Sequence, residues 1–558
     1  MKIIKKILFM VGMLAASAAF FSCGTSKSAG PASFTKGLNL SKWFETWNGS
    51  IPNLKVYDKQ DFINIKELGC DVVRVPIHFA SFLNDKKEVD PIIYEYLDKA
   101  CDWAEELGMY IVIDNHSFNS GAYPTPAKVE ESLLLLWPQI AGRYKNRSNL
   151  IVYEILNEPQ FGNKEWEPIQ QKALEAIRKV DKKHTVVVTG ADWSALNSMC
   201  SLQPLNDNNI IYTFHFYEPF IFTHQGATWG DSGLAALSNI PFPYNKDKMP
   251  ELPPEAKTAS TRGQLANYPK TGNEPTLRKR LEQAAAFAEK AHAPVWCGEM
   301  GVHDVAVKNE DRNNWYKSVG KILNDLNMPF CVWGYDDSFG IFTPGSKKKY
   351  PYDLNPDVVG ALGMNVPAAA GTTPPENSDL PVVLYDDFYG KGVDVSSWST
   401  QLLITNHKEN PSEGSFCIMT GLMERYAGIA WDLTKKNLSD VEGNQSNVYL
   451  CFDVKFTSDK QAFQIRFVDT DDGTTENIPW RLAYDVRASD LKTNEWSKVE
   501  IPISKMNCWG AWSNITNTWT DIGNNHFDWD RVWRLELAAE EWSISGKFFL
   551  DNMRIEVR

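Results

Sequence analysis

No Cys-x-x-Cys pair occurs in the 558 residues, so the chain offers no ligands for a zinc knuckle. The nine histidines never fall at paired ligand spacing on a helical pattern, which gives no sign of a catalytic metal. Positive charge is in deficit, with 57 Lys and Arg against 70 Asp and Glu and a net charge of −13. An acidic chain repels a phosphate backbone, so nucleic acid is not an expected partner and an uncharged one fits better. Beyond Phe21 no apolar run is long enough to span a bilayer. No glycine-rich fingerprint follows the first strand pattern, which argues against a doubly wound dinucleotide-binding sheet.

What is present is globular: 43 % apolar and 23 % charged residues, at a length that favours two folded domains. The 20 Trp and 20 Tyr can pack cores or stack on sugar rings, and their number alone favours neither. The first residues read as a targeting segment. Lys2, Lys5 and Lys6 form a basic end, and an apolar run follows from Ile7 to Phe21. Phe20-Phe21-Ser22-Cys23 resembles a bacterial lipobox, with Phe20 where Leu is usual. Residues 1–23 are therefore expected to direct export of a lipoprotein anchored through Cys23, with 24–33 as a tether. Membrane association is expected only through that lipid. Of the other eight cysteines, Cys297 and Cys331 sit in apolar strand patterns and are expected to be buried thiols.

From 34 to 364, short apolar runs alternate with amphipathic stretches. Eight runs read as strands: Phe34–Leu40, Val72–Pro76, Tyr110–Asp114, Ile151–Leu156, Val186–Thr189, Ile210–Phe214, Val295–Gly298 and Phe330–Trp333. Their near-continuous apolarity suits parallel strands buried on both faces. Helical spacing falls between them at Pro91–Leu107, Glu130–Tyr144, Trp166–Lys182, Leu277–Ala291 and Arg312–Leu326. Eight such units predict an α/β fold, a (β/α)8 TIM barrel. Glu218–Glu274 shows little periodicity and reads as a long loop on the C-terminal face, where loops shape clefts. Residues 365–381 read as a linker rich in Pro, Ala and Thr. From 382 to 558 the period changes to two, for example over Val448–Phe456, Phe463–Val468, Lys498–Ile503, Val532–Leu537 and Lys547–Ile555, and predicts an all-β jelly-roll sandwich.

Barrel chemistry resides where strands end. Those ends carry Arg74 and His78, Asp114-Asn115-His116, Asn157-Glu158-Pro159, His215 and Tyr217, Glu299, and Trp333. Glu158 and Glu299 would face each other across the mouth. Two carboxyls amid His, Tyr, Arg and Trp suit glycoside hydrolysis, which needs one protonated and one ionised acid. Arg74 would favour the ionised form of Glu299, and a nearby carboxylate would keep Glu158 protonated. Trp43, Trp137 and Trp193 read as core or cleft wall.

These positions resemble glycoside hydrolase family five. Leu156-Asn157-Glu158-Pro159 matches the acid/base signature, and Trp296-Cys297-Gly298-Glu299-Met300-Gly301 the nucleophile strand. Val73-Arg74-Val75-Pro76, His116, His215-Phe216-Tyr217 and Trp333 match the other usual positions. The resemblance implies a retaining endo-β-1,4-glycanase, an endoglucanase above all, acting without cofactor on a β-linked polysaccharide. Its carboxyls should lie about 5–5.5 Å apart. It implies Glu299 as nucleophile, Glu158 as acid/base, Asn157 on the sugar 2-hydroxyl, and Arg74 and Tyr217 orienting Glu299. His116 and His215 would bond sugar hydroxyls or the carboxylates, and Trp333 would floor the cleavage point. β-Mannan, xyloglucan and mixed-linkage glucan stay open as substrates, as do exo action and a non-catalytic glycan-binding lipoprotein. A monomer is expected.

Residues 382–558 resemble jelly-roll carbohydrate-binding modules through Tyr385-Asp386-Asp387-Phe388, Trp496-Ser497-Lys498-Val499-Glu500-Ile501 and Phe549-Leu550-Asp551-Asn552-Met553. That resemblance makes Asp387 and Asp551 candidate ligands of a structural calcium. Trp480, Trp509 and Trp512 lie in polar stretches and are expected to stack on ligand; Trp533, alternating with Leu535 and Leu537, is expected in the core.

Overall fold

The computed structural model describes residues 30–46, 50–118, 123–375, 378–474, 477–521, 527–540 and 543–558. The targeting segment with Cys23 lies outside them. Eight parallel strands close a barrel in sequential order: β1 (Lys36–Asn39), β2 (Val72–Ile77), β3 (Tyr110–Asn115), β4 (Ile151–Glu154), β5 (Thr185–Thr189), β6 (Ile210–Phe216), β7 (Val295–Met300) and β8 (Phe330–Val332). β8 pairs back onto β1, with Gly37 opposite Cys331. Gly37 is needed there, because a Cβ would stand 2.0 Å from the Val72 carbonyl oxygen.

The two-residue period of the strands sorts the barrel interior into layers. Val72, Val112, Val152, Val187, Ile211, Trp296 and Cys331 form an apolar plug, closed below by Phe34, whose ring meets Trp296 edge-on at 5.2 Å. Two residues further along each strand come Arg74, Asp114, Glu154, Thr189 and Thr213, all buried. Arg74 thus lies in the middle of β2, not at its end. The plug below it excludes water, so its charge must be met by neighbours.

Helices wrap the barrel at Pro91–Glu106, Pro126–Tyr144, Asn163–Val180, Glu274–Ala291 and Asn309–Asp325. Four of them start three or four residues before the apolar periodicity does. Pro126 and Pro275 occupy first-turn positions, where a missing N–H costs nothing. The 218–274 segment is not an irregular loop. It holds the 13-residue helix Ala259–Thr271, of which only Thr261 and Tyr268 are buried. With so narrow a buried stripe, no amphipathic period is visible in the sequence.

The linker lies against the barrel rather than hanging free: Asn365 N–H donates to Leu68 O, and Gly371 N–H to Tyr352 O. Beyond it an antiparallel β-domain begins at Val382–Asp386 and ends with Ile544–Val557. Two long paired strands, Val395–His407 and Cys417–Asp432, escape the sequence reading because their burial alternates poorly. The domain docks on the barrel through Phe388, edge-on to Tyr96 at 5.5 Å, and through Lys391, whose Nζ meets the buried Asp61 carboxylate at 2.6 Å.

Two expectations for this domain change. Trp480 is buried in the sandwich core, 7 % exposed, because the 478–480 turn tucks its ring inward. Trp533 is only partly buried, its indole covered by the Arg534 guanidinium at 3.7 Å, while Leu535 and Leu537 fill the core. The carboxylates of Asp387 and Asp551 pin a loop: Asp387 Oδ1 accepts the Ser415 and Phe416 N–H groups at 2.6 and 2.8 Å, and Asp551 Oδ2 those of Ser412 and Glu413 at 2.8 and 3.2 Å. The eight cysteines from Cys70 onward are free thiols.

Candidate active site

Arg74 is the hub of the barrel mouth. Its Nε and Nη2 grip Glu154 at 2.7 and 2.9 Å, Nη2 also donates to Asn157 Oδ1 at 2.8 Å, and Nη1 donates to Glu299 Oε1 at 2.8 Å and to Asn39 Oδ1 at 2.9 Å. Asp114 lies 3.0 Å away as a third carboxylate. A planar, permanently charged fork can serve so many acceptors at fixed angles, which an ammonium could not.

Asp114 Oδ2 meets His116 Nδ1 at 2.6 Å. Burial holds the His116 ring neutral, so Nδ1 carries the proton and Nε2 accepts from the Asn157 amide at 3.3 Å. Asn157 is thereby oriented from both ends, its oxygen on Arg74 and one amide hydrogen on His116. The second hydrogen is left for a ligand. His78, His116 and Trp333 stack in a column, with ring centroids 5.8 and 5.5 Å apart.

Glu158 and Glu299 project into the same cleft, Glu158 from the loop after β4 and Glu299 from within β7. A register shift between β6 and β7 sets His215 opposite Glu299. His215 Nδ1 lies 2.6 Å from Glu158 Oε1 and 3.4 Å from Glu299 Oε2. One oxygen of each carboxyl lies within 4.8 Å of the other and of the His215 nitrogen, the only such trio of acidic, His or Cys ligand atoms among the described residues. Burial raises both carboxyls to about 7. Hydrogen bonding then separates them. Glu299 receives Arg74 and the Tyr217 hydroxyl, the latter at 2.9 Å, so the first proton leaves Glu299 and the pair's remaining proton stays on Glu158. Desolvation, not the field of a neighbouring carboxylate, is the main cause of the raised Glu158 value.

The structure thus brings together Arg74, His116, Asn157, Glu158, His215, Tyr217, Glu299 and Trp333. It adds Glu45, Trp229 and Phe339, which the sequence reading did not name, and decides Trp193 as cleft wall. Glu45 lines the cleft 4.0 Å from His116 Nε2, and burial lifts it to about 7. Trp193 is 55 % exposed on the cleft wall, unlike Trp43 and Trp137, which are fully buried. Its turn holds Asp192, Trp193 and Ser194 all at left-handed φ of 53, 59 and 53°. Trp193 N–H donates to Pro159 O, and the Ser194 hydroxyl to Asn157 O, so this strained turn is anchored to the segment that carries Glu158. Trp229 and Phe339 line the other wall. The sequence signal for Trp193 was an aromatic residue four positions after β5; Glu45, Trp229 and Phe339 carried none.

The cleft encloses about 1180 Å³, larger than a pocket for one small ligand. Two carboxyls with separated proton affinities at this distance can protonate a leaving oxygen and attack the carbon beside it.

Comparison with known proteins agrees. Endoglucanase 3 of Fibrobacter succinogenes is 28 % identical over 336 residues, 56 % of this chain and 50 % of that protein. Endoglucanase C of Acetivibrio thermocellus is 27 % identical over 318 residues, 54 % of this chain and 91 % of its own length. Endoglucanase H of Acetivibrio thermocellus aligns over 532 residues at 22 % identity, 88 % of this chain and 51 % of that protein. The chain thus spans half the length of the first of these relatives. Carbohydrate binding domain 30 matches residues 385–557. The profile of Cellulase (glycosyl hydrolase family 5) matches residues 31–338, more than half of the sequence, and the chain belongs to that family.

Proposed function

We propose that the chain is an endo-β-1,4-glucanase that cleaves with retention of anomeric configuration. The observation that carries this is the close approach of Glu158 and Glu299 oxygens, within 4.8 Å. Inverting enzymes need about 6.5–9.5 Å between carboxyls to seat a water, whereas covalent attack needs about 5–5.5 Å. Relatives named endoglucanases support the substrate class.

In the first step a Glu299 oxygen bonds to the anomeric carbon as the bond to the leaving oxygen breaks, and Glu158 gives its proton to that oxygen. In the second, Glu158 takes a proton from water, the water oxygen bonds to the same carbon, and Glu299 departs as carboxylate. Arg74 and Tyr217 hold Glu299 ionised and aimed. The free amide hydrogen of Asn157 bonds the 2-hydroxyl of the ring under attack, and Trp333 floors it.

The test is reducing-sugar release from carboxymethylcellulose, mixed-linkage β-glucan, xyloglucan, glucomannan and xylan, with Glu299→Gln as control. The anomer first formed is followed by NMR. Strong release from β-1,4-glucan as the β-anomer, abolished in Glu299→Gln, is expected. Preferential release from mannan or xyloglucan would reassign the substrate, and an α-anomer would overturn the covalent route.

A further inference from the structure

We infer that Asp337 is a positioning residue: its carboxylate ties the loop after β8 into the shape that aims Trp333 and Phe339 into the cleft. The two aromatics stand at opposite ends of one turn of chain, and both line the cleft. Asp337 Oδ1 accepts the Gly334 N–H, next to Trp333, at 3.1 Å and the Phe339 N–H at 2.8 Å. Oδ2 accepts the Ser41 hydroxyl at 2.8 Å, and Ser41 belongs to the loop after β1. One side chain thus joins both ends of the β8 loop to the neighbouring rim of the barrel.

The surrounding backbone leaves little room for another arrangement. A Cβ on Gly334 would stand 2.9 Å from the Asn39 carbonyl oxygen and 3.2 Å from Asp337 Oδ2, and one on Gly340 would stand 2.7 Å from the Gly334 carbonyl oxygen. The Tyr335 N–H donates to Asn39 O at 2.8 Å, and the Gly340 N–H to Asp337 O at 3.1 Å. The chain is wrapped closely around the carboxylate, and Ser41, Gly334, Asp337 and Phe339 are all buried. What projects from this turn is ordered: Trp333 stacks on His116 at 5.5 Å, and Phe339 meets the Tyr217 ring edge-on at 5.7 Å. Without an acceptor at position 337, two buried N–H groups and a hydroxyl lose their partner. The backbone must then shift to find others, and both rings move with it.

A carboxylate only accepts, so it takes all three donors at once. An amide oxygen could still take the two N–H groups while the Ser41 hydroxyl turned round to accept from the amide nitrogen. The role therefore lies in where the acceptor stands, not in its charge. It rests on Trp333 flooring the sugar ring, as proposed above.

The experiment measures KM and kcat for Asp337→Ala, Asp337→Glu and Asp337→Asn on the β-glycan that the parent degrades fastest, with pH profiles and melting temperatures. Asp337→Ala is repeated in the Trp333→Ala background. Stacking is felt by ground state and transition state alike, so its loss raises KM more than it lowers kcat. Asp337→Ala should raise KM about tenfold, the size of losing an aromatic anchor, with the pH profile unmoved. Asp337→Glu, which keeps the charge but carries it one methylene further, should do the same. Asp337→Asn should stay within about threefold of the parent. On top of Trp333→Ala, Asp337→Ala should add less than about threefold, because residues acting through one another are not additive. Asn as damaging as Ala, or Glu as good as the parent, would show that charge is what matters and overturn the proposal. A full tenfold effect of Asp337→Ala in the Trp333→Ala background would overturn it too. Should the Ala variant not fold, Asp337→Glu takes its place in the cycle. Trp333→Ala by itself tests the floor: an unchanged KM there would retire the floor and the role of Asp337 together. A raised KM in Trp333→Ala beside a parent-like Asp337→Ala would overturn the role of Asp337 alone.

Discussion

Arg74 Nη1 and Glu299 Oε1 meet at 2.8 Å inside the barrel, where Arg74 is fully buried and is shared with Glu154 and Asp114. The charge of Glu299 is therefore set by a residue two strand positions above the apolar plug.

Replacing Arg74 with Met would leave three buried carboxylates without their cation. The expected cost is about 3–5 kcal/mol of stability, read as a lower midpoint in urea unfolding at pH 7. Arg74→Lys keeps the charge but not the fork. It is expected to fold and to lose about 10²-fold in kcat. A Lys variant within threefold of the parent would show that charge alone suffices.

In the proposed mechanism Glu158→Gln removes the proton donor but not the nucleophile. Hydrolysis of polymer is expected to fall about 10²–10⁴-fold. A 2,4-dinitrophenyl cellobioside, whose leaving group needs no proton, should still form the glycosyl-enzyme in a rapid burst, followed by slow turnover. Absence of a burst in stopped-flow absorbance would contradict the acid/base role.

Burial raises Glu45 from 4.5 to about 7. A carboxyl whose folded pKa lies above its unfolded one binds more protons in the native state. Its stabilising contribution is complete below about 4.5 and is lost as pH rises through about 7. Glu45→Gln, which cannot ionise, should gain on the parent by about 1 kcal/mol or more between pH 5 and pH 8, measured as the difference in urea unfolding free energy. Activity should show the same direction for a different reason. As the proton shared by Glu158 and Glu299 is lost near pH 7, kcat/KM should fall on the alkaline side.

Trp193 occupies a left-handed conformation that costs a non-glycine residue about 1 kcal/mol or more. Trp193→Gly should therefore leave the melting temperature unchanged or raised, while KM for polymer rises about tenfold through loss of an exposed cleft aromatic. A fall in melting temperature without a change in KM would show that the indole serves packing alone.

Much of the barrel was legible because parallel strands buried on both faces leave unbroken apolar runs, and because catalytic groups cluster at strand ends. Asn157, Glu158 and Glu299 are local features of such runs. Residues that reach the cleft from elsewhere were not legible. Glu45 looks like any acidic residue in a polar loop until folding places it beside His116. Nothing in Ala191-Asp192-Trp193-Ser194 announces three consecutive left-handed residues, since that turn is held by Pro159 and Asn157 from another segment.

The sandwich makes the same division plain. A period of two identifies strands but does not say which face another layer covers, so Trp480 and Trp533 were placed wrongly. By itself, then, the amino-acid order determined the succession of strands and helices and the two facing glutamates, because those depend on local periodicity and chain position. Tertiary structure alone decided the Arg74 hub, the protonation order of the two glutamates and which tryptophans face solvent. Each depends on contacts between distant segments that exclude water from some groups and leave others exposed.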